Sequence, residues 1–389
     1  MIPFSYYNPA RICFGKDAIS NLGGLLKDLD VRSLLLVYSG DFIKELGIYD
    51  AVKDTCSREG IDFHENGSVQ PNPRIELVRE LIDEGRKNGV DFILAVGGGS
   101  SIDTAKAVSL GIPYDGDIWN FFEKQIPPEK VLPVGVVTTL PASGSETSNA
   151  AILSNGTLKV GFENDMIIPK FAIMDPTYTL GLPPFQTAAG IADIASHLIE
   201  RYFSPVSHTD LTDYMIEGAV KALLLNGRRV MEHPLDFDAR AEIQWTASVA
   251  HNNLLDTGRI GDWGSHRLEH ELSALYDITH GEGMTVVLPA WIRYMADVKP
   301  YKIAQFAVRA LGFDPYDWSE KELALKAADH LEDYFRNVLH LRTRLSELGI
   351  GTEHFDQMAA QATHNGKDPV GHYVLLDEQR FKDILKLAL

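Results

Sequence analysis

The chain has 389 residues, a length that favours two domains over one. With 45% hydrophobic and 23% charged residues, it has the composition of a globular protein that buries a large core. The net charge of −18 opposes binding to nucleic acid or to anionic membrane surfaces. Two cysteines without a CxxC pair exclude a disulfide framework and a thiolate zinc site, and they suit a reducing compartment.

The N-terminus carries neither the basic nor the apolar region of a signal peptide. No apolar run approaches the ~18 residues that cross a bilayer. These features predict a cytoplasmic protein with no membrane partner.

In chain order, β-prone segments at 4–7 and 11–14 flank the turn pair Asn8-Pro9 and predict an N-terminal hairpin. Strands then alternate with helices over the first ~180 residues. Continuous apolar runs lie at 34–38, 92–96, 134–137 and 172–174. Strands that are apolar throughout are typical of a parallel sheet with helices on both faces.

Pro183 and Pro184 interrupt this pattern, and the periodicity beyond them is helical. Apolar residues recur three or four positions apart at 187–202, 211–225, 239–255 and 323–348. We predict an α/β domain with a parallel sheet at residues 1–182 and an all-α domain at residues 183–389.

A triglycine segment follows the 92–96 run and opens a helix. Glycines let backbone N–H groups approach an anion, and the helix N-terminus adds a favourable dipole, so the segment suits a pyrophosphate. A tight strand-to-helix turn is the alternative, because the segment is neither GxGxxG nor a Walker loop. The candidate coenzyme-binding residues here are Gly97, Gly98, Gly99, Ser100 and Asp103.

A second loop, rich in small and hydroxyl residues, follows the 134–137 run. Its hydroxyls and amides suit a ribose or a nicotinamide amide, and the alternative is a turn that caps a helix or hairpin. The candidate residues are Thr138, Thr139 and Ser143.

Metal-ligand residue types cluster in the second half of the chain. Asp193 and His197 are four residues apart in a predicted helix, as are His266 and His270, and His280 precedes a glycine. Three imidazoles and one carboxylate are ligands of Zn²⁺ or Fe²⁺ that leave a position for a substrate oxygen. A core or capping role is the alternative for any one of these histidines.

At these residues the chain resembles the iron-containing (group III) alcohol dehydrogenase family, most closely its butanol-dehydrogenase-like, aldehyde-reducing branch. The segments that carry the resemblance are 7–15, 72–73, 97–103, 143–146 and 261–281. The resemblance implies a dehydroquinate synthase-like fold, with a dinucleotide-binding domain before a helical metal and catalytic domain. It also implies a homodimer and NAD(P)-linked turnover of small primary alcohols and aldehydes.

Individual roles follow from the same resemblance. The implied metal ligands are Asp193, His197, His266 and His280, with one Fe²⁺ or Zn²⁺ per subunit. His270 is implied to lie near the nicotinamide and substrate without ligating the metal, and we expect it to relay the proton. Lys159 and Leu180 are implied to line the coenzyme groove.

Coenzyme choice rests on the turn after the 34–38 run. NADP-dependent members of the branch carry a Gly-Gly-Gly-Ser loop there, whereas this chain has Ser39, Gly40, Asp41 and Phe42. A carboxylate beside the adenosine ribose accepts from the 2′-hydroxyl and repels a 2′-phosphate, so Gly40 and Asp41 favour NAD(H) over NADP(H). The alternative is that Asp41 caps a helix beginning near Phe42.

Other functions would also account for the glycine segment and the cluster of metal-ligand residue types. Within the superfamily the alternatives are a glycerol dehydrogenase or a dehydroquinate synthase-like lyase, against which the 263–280 segment argues. Outside it, a metal hydrolase would use the same ligands to activate water, and a non-catalytic nucleotide-binding oligomer would use only the glycine segment. Phe162, Trp263 and Tyr276 are candidates for the walls of the substrate pocket.

Overall fold

The computed structural model describes all 389 residues, which form two compact units. An α/β unit comprises Tyr7–Leu182 and His251–Asn253. A helical unit comprises Met1–Tyr6, Pro183–Ala250 and Leu254–Leu389. The two short segments at 1–6 and 251–253 therefore lie outside the simple division at residue 182 that we expected.

The α/β unit contains eight strands and six α-helices. The strands are β1 (Arg11–Phe14), β2 (Ser33–Tyr38), β3 (Asp62–Asn66), β4 (Phe92–Gly97), β5 (Val134–Thr138), β6 (Ala150–Asn155), β7 (Leu158–Glu163) and β8 (Phe171–Met174). The helices are α1 (Leu22–Asp28), α2 (Phe42–Glu45), α3 (Ile48–Glu59), α4 (Ile75–Lys87), α5 (Gly99–Gly111) and α6 (Trp119–Lys124).

Six strands form a parallel sheet in the order β1-β8-β5-β4-β2-β3, and β6 and β7 form an antiparallel pair. Alternate residues of β2 enter two different cores, with Leu34 and Leu36 on one face and Leu35 and Val37 on the other. Every residue of β2 and β4 is buried, because both faces of the sheet are covered. The predicted parallel α/β architecture is confirmed.

The predicted N-terminal hairpin is wrong. Residues 4–7 form no strand, and β1 pairs in parallel with β8, in the register Arg11 to Phe171. The Asn8 side chain does form a local turn by accepting from the Ala10 N–H, but it also donates to the Thr147 carbonyl. The turn thus directs β1 onto the sheet, where a buried partner strand is available.

The helical unit contains nine α-helices around a single apolar core that includes Trp291 and Phe306. The helices are α7 (Pro184–Tyr202), α8 (Asp210–Glu232), α9 (Phe237–His251), α10 (Gly264–Tyr276), α11 (His280–Val298), α12 (Tyr301–Arg309), α13 (Glu320–Asp333), α14 (Phe355–Ala362) and α15 (Glu378–Leu387). None of the helices has the length and apolarity needed to cross a membrane.

The prediction of one helix at 323–348 is wrong in its second half. A π-helical turn, Tyr334–Val338, follows α13, and His340 adopts a left-handed φ of 57° that ends the helical path. A short 3₁₀ helix then covers Leu345–Leu348. Apolar spacing is similar in both parts because both pack on the same core.

Candidate functional site

Three helices of the helical unit bring the predicted metal ligands together. Helix α7 carries Asp193 and His197, α10 carries His266, and α11 begins at His280. Donor atoms of Asp193, His266 and His280 all lie within 4.8 Å of one another. The His197 and His266 ring centroids are 4.8 Å apart, so all four side chains gather at one place.

The distances suit a shared ion. His280 Nε2 lies 3.4 Å, and His197 Nδ1 3.6 Å, from Asp193 Oδ1. Asp193, His197 and His266 are buried, whereas the His280 side chain is 24% exposed. Three imidazoles and a carboxylate within these separations fit a divalent transition metal, with access on the His280 side.

Two buried glutamates hold two of these histidines, and the sequence analysis missed both. Glu200 Oε1 lies 3.2 Å from His266 Nδ1 and also accepts from the His266 backbone N–H at 2.9 Å. Glu269 Oε2 contacts His280 Nδ1. With Nδ1 donating to a carboxylate, each ring presents Nε2 as a lone pair for a metal and becomes a more basic ligand.

Spacing in the sequence indicates that each of these glutamates shares a helix face with a predicted metal ligand. Glu200 stands seven residues after Asp193 on α7, and Glu269 stands three residues after His266 on α10. Both intervals return to one face of a helix. Nothing in the sequence pairs Glu200 with a histidine on another helix, however, because that contact depends on how α7 and α10 pack.

Two glycines let α11 approach closely enough to place His280. A Cβ on Gly281 would lie 2.0 Å from the Ala189 backbone oxygen on α7. A Cβ on Gly283 would lie 2.6 Å from Glu269 Oε1. The absent side chains therefore make room for the α7 backbone and for the carboxylate that holds His280.

His270 lies beside the ligand cluster. Its ring centroid is 5.6 Å from that of His280, and its side chain is half-buried. Donor atoms of Glu269, His270 and His280 form a second group within 4.8 Å. Within this second group, Glu269 and His280 are hydrogen-bonded to each other. Asp193, His266 and His280 are therefore the better candidates for metal ligands.

The candidate pocket walls have different surroundings. Trp263 packs edge-on against His197 and His266, at centroid distances of 6.1 and 5.1 Å, and the Arg201 guanidinium stacks over it at 4.5 Å. Phe162 is instead buried in the α/β core, 5.7 Å from the Phe121 ring. Phe162 is therefore not a pocket wall.

The candidate coenzyme residues of the α/β unit lie mainly at one edge of the sheet. The parallel register aligns Tyr38 with Val96 and Gly97 with Thr138, so the loops after β2, β4 and β5 leave the same edge. The connection after β2 leads to β3 on one side, and the chain then returns to β4 on the other side. The reversal point between β2 and β4 is where open parallel sheets bind ligands.

The glycine loop, residues 97–100, has the conformation that glycine allows. Gly97 has φ +148°, and Gly98 is extended immediately before α5 begins at Gly99. Gly98, Gly99 and Ser100 are partly exposed, so the first turn of α5 is accessible to an anion. Thr139 N–H donates to the Gly97 carbonyl at 3.0 Å and ties the serine loop, residues 138–146, to the glycine loop.

The remaining candidates occupy distinct positions. Asp103 is buried, and its two oxygens accept from Ser145 Oγ at 2.6 Å and the Ile152 N–H at 3.1 Å, so both are engaged by the protein itself. Lys159, on β7, donates to Asn72 Oδ1 at 3.1 Å. Leu180 follows a 3₁₀ turn after β8 and is half-buried.

Asp41 stands three residues after the end of β2, beside Gly40 with its φ of +68°. Helix α2 begins at Phe42 and Asp41 occupies its N-cap position, but the Asp41 side chain makes no capping hydrogen bond. Its carboxylate instead pairs with Lys44 Nζ at 2.7 Å and is 82% exposed.

A parallel α/β unit and a helical unit with a three-imidazole, one-carboxylate cluster define the two-domain class of dehydrogenases with a dehydroquinate synthase-like fold. Residues 9–176 match the iron-containing alcohol dehydrogenase family, and residues 187–389 match the C-terminal region of the same family. The chain belongs to the iron-containing alcohol dehydrogenase family, which confirms the family predicted from its motifs.

Individual relatives point to the predicted branch. NADH-dependent butanol dehydrogenase A of Clostridium acetobutylicum is 38% identical over 99% of both chains. An NADPH-dependent aldehyde reductase of Escherichia coli is 33% identical over 97% of both chains. The crystal structure of NADH-dependent butanol dehydrogenase A from Thermotoga maritima has a TM-score of 0.94 at 34% identity, over 99% of this chain and 98% of that one. These similarities confirm the butanol-dehydrogenase-like branch and the fold class.

Proposed function

We propose that this protein is a metal-dependent, NAD(P)-linked alcohol dehydrogenase or aldehyde reductase that acts on small primary alcohols and aldehydes. The observation that carries the proposal is the convergence of Asp193, His197, His266 and His280, two of which have Nδ1 engaged by a buried glutamate. Family membership and relatives named butanol dehydrogenase and aldehyde reductase support the reaction type.

The four side chains would hold one Fe²⁺ or Zn²⁺, which would supply Lewis acidity toward an alcohol or aldehyde oxygen. The alcohol would lose a proton from oxygen and a hydride from carbon to become the aldehyde, and a bound nicotinamide coenzyme would supply the hydride acceptor. His270 accepts the proton and passes it to solvent, and in aldehyde reduction it returns a proton. Glu200 and Glu269 keep His266 and His280 oriented.

The α/β unit is proposed as the dinucleotide-binding domain, and the helical unit as the metal and catalytic domain. The glycine loop binds the pyrophosphate through the first turn of α5, and Thr138, Thr139 and Ser143 bind the ribose or nicotinamide amide. Lys159 and Leu180 line the coenzyme groove. Asp103 stabilises the serine loop by accepting from Ser145 Oγ. Asp41 makes NAD(H) the favoured coenzyme.

The assembly and location that the sequence predicted remain proposals here: a homodimer in the cytoplasm. The first rests on the family resemblance. The second rests on the two unpaired cysteines, which suit a reducing compartment.

The direct test is consumption of NADH and NADPH with a panel of aldehydes, after reconstitution with Fe²⁺ or Zn²⁺. His266→Ala and His280→Ala each remove a donor, so bound metal and turnover should fall together. His270→Ala should keep its metal while turnover slows. Metal-free His270→Ala protein would make His270 a ligand, and a parent that hydrolyses esters while leaving NADH unchanged would replace the proposal with a metal hydrolase.

A further inference from the structure

A lysine is completely buried in the α/β unit, on the helix that the glycine loop opens. Lys106 lies on α5 and has no exposed surface. Its Nζ donates to Ser145 Oγ at 2.9 Å, to the Ser148 carbonyl at 2.8 Å and to the Ala150 carbonyl at 2.7 Å. All three acceptors belong to the segment 145–150, which leads from the serine loop into β6.

The hydroxyl of Ser145 connects Lys106 to the nearby carboxylate of Asp103. Ser145 Oγ accepts from Lys106 Nζ and donates to Asp103 Oδ1 at 2.6 Å. Burial lowers the pKa of Lys106 to about 8, and the Asp103 charge opposes that shift. An apolar side chain would avoid the desolvation cost of an ammonium, so the core of the unit does not require a lysine at this position.

The segment that Lys106 holds borders the glycine loop. A Cβ on Gly99 would lie 2.6 Å from Ser143 Oγ, and a Cβ on Gly98 would lie 3.2 Å from Leu140 Cβ. The two loops are therefore in van der Waals contact, with room for only hydrogen atoms on the glycines. A shift of the serine loop by a few tenths of an ångström would change the space above the first turn of α5.

The other side of the serine loop is held from distant parts of the chain. Asn8 Nδ2 donates to the Thr147 carbonyl at 2.7 Å, and His251 Nδ1 donates to the Ser143 carbonyl at 2.7 Å. These two contacts reach backbone oxygens on the loop and on the residue just after it, whereas Lys106 links the loop to α5 itself. Lys106 thus acts together with Asp103, which lies on the same helix and accepts from Ser145 Oγ, in coupling the loop to α5.

We propose that Lys106 is a positioning residue that sets the distance between the glycine loop and the serine loop, and through it the affinity for the dinucleotide coenzyme. The inference rests on the proposed function for the identity of the ligand. Lys106 itself does not touch the coenzyme; it acts through Ser145 and the backbone of residues 148–150.

The test compares Lys106→Met with Lys302→Met in the metal-loaded, full-length protein. Lys302 is a matched control because it is also a buried lysine, paired with Asp213 in the helical unit. Lys106→Met should raise the dissociation constant of NADH, measured by fluorescence titration, about tenfold or more. Its metal content should match that of the parent, and so should kcat at saturating NADH. Lys302→Met should lose thermal stability without a change in NADH affinity.

A folded Lys106→Met protein with unchanged NADH affinity overturns the inference. Equal weakening of NADH binding by Lys302→Met also overturns it, because the effect would then be a general loss of stability. If Lys106→Met does not fold, Ser145→Ala decides instead, since it removes the bridging hydroxyl with little change in volume. Weaker NADH binding by Ser145→Ala supports the inference, and unchanged binding refutes it. A parent that neither binds nor consumes NADH or NADPH would instead refute the proposed function.

Discussion

Gly281 is the position where adding one carbon should most directly disturb the metal centre. In Gly281→Ala the new Cβ would lie 2.0 Å from the Ala189 backbone oxygen and 2.7 Å from the Ala189 carbonyl carbon. Ordinary contacts begin at 3.4 Å, so α7 and α11 must separate by more than ~1 Å. No side-chain rotation relieves the clash, because both partners are backbone or Cβ.

Separating α7 from α11 should displace two of the metal ligands, because these ligands lie next to the clash. His280 is adjacent to Gly281 on α11, and Asp193 lies one turn beyond Ala189 on α7. The His280 Nε2 to Asp193 Oδ1 distance, now 3.4 Å, should widen by a similar amount. Metal–ligand bonds tolerate about 0.2 Å, so one ligand should be lost. We expect metal affinity to fall at least about 100-fold and stability to fall by about 1–3 kcal/mol.

The assay is metal content per subunit after equilibration with a chelator of known affinity, alongside thermal unfolding. Gly218→Ala is the control, because Gly218 lies within α8 and a Cβ there meets nothing within 4 Å. This control should keep its metal and gain about 0.4–1 kcal/mol of stability. A folded Gly281→Ala protein with parental metal affinity would refute the reasoning.

Three further predictions concern the metal support and the coenzyme. Glu200→Gln should weaken metal binding about tenfold, because the neutral amide no longer raises the basicity of the imidazole it contacts. The control is Glu217→Gln, which should leave metal affinity at the parental value, because Glu217 is a buried glutamate that accepts from the Tyr202 hydroxyl and not from a histidine. Competition with a chelator measures both, and equal affinities in the two variants would contradict the assigned role. Gly98→Val should raise the NADH dissociation constant about tenfold, roughly 1.4 kcal/mol, because its side chain displaces the pyrophosphate. An unchanged titration curve in the folded variant would remove the glycine loop from the coenzyme site. We expect the parent to have a higher kcat/KM with NADH than with NADPH. Asp41→Gly should shift this preference toward NADPH, because it removes an exposed carboxylate that opposes a 2′-phosphate. A parent that already favours NADPH would contradict the role assigned to Asp41.

Local patterns predicted the elements that carry the site. The apolar runs of β2 and β4 predicted buried parallel strands because a strand covered on both faces has no polar side. The four-residue spacing of Asp193 and His197 predicted a shared helix face because that interval is about one helical turn. In both cases the information lies within a few residues of the position predicted.

Local patterns gave wrong predictions at two places in the chain. Asn8-Pro9 predicted a hairpin, but β1 gains a buried neighbour in β8, about 160 positions away, and pairs there instead. The 323–348 periodicity predicted one helix, but the helical path ends where His340 adopts a left-handed conformation. Apolar spacing reports which residues face a core, and it does not report where the backbone turns.

The sequence by itself determined the kinds of ligand available, the order of the two units and the glycine loop, because each depends on residue type and short-range spacing. Only the tertiary structure decided that Glu200 supports His266, that Gly281 must lack a side chain, and that Lys106 ties the serine loop to α5. These contacts join residues 39 to 92 positions apart, and their formation depends on how helices and strands pack. Packing brings distant side chains within a few ångströms, and no local pattern records which ones will meet.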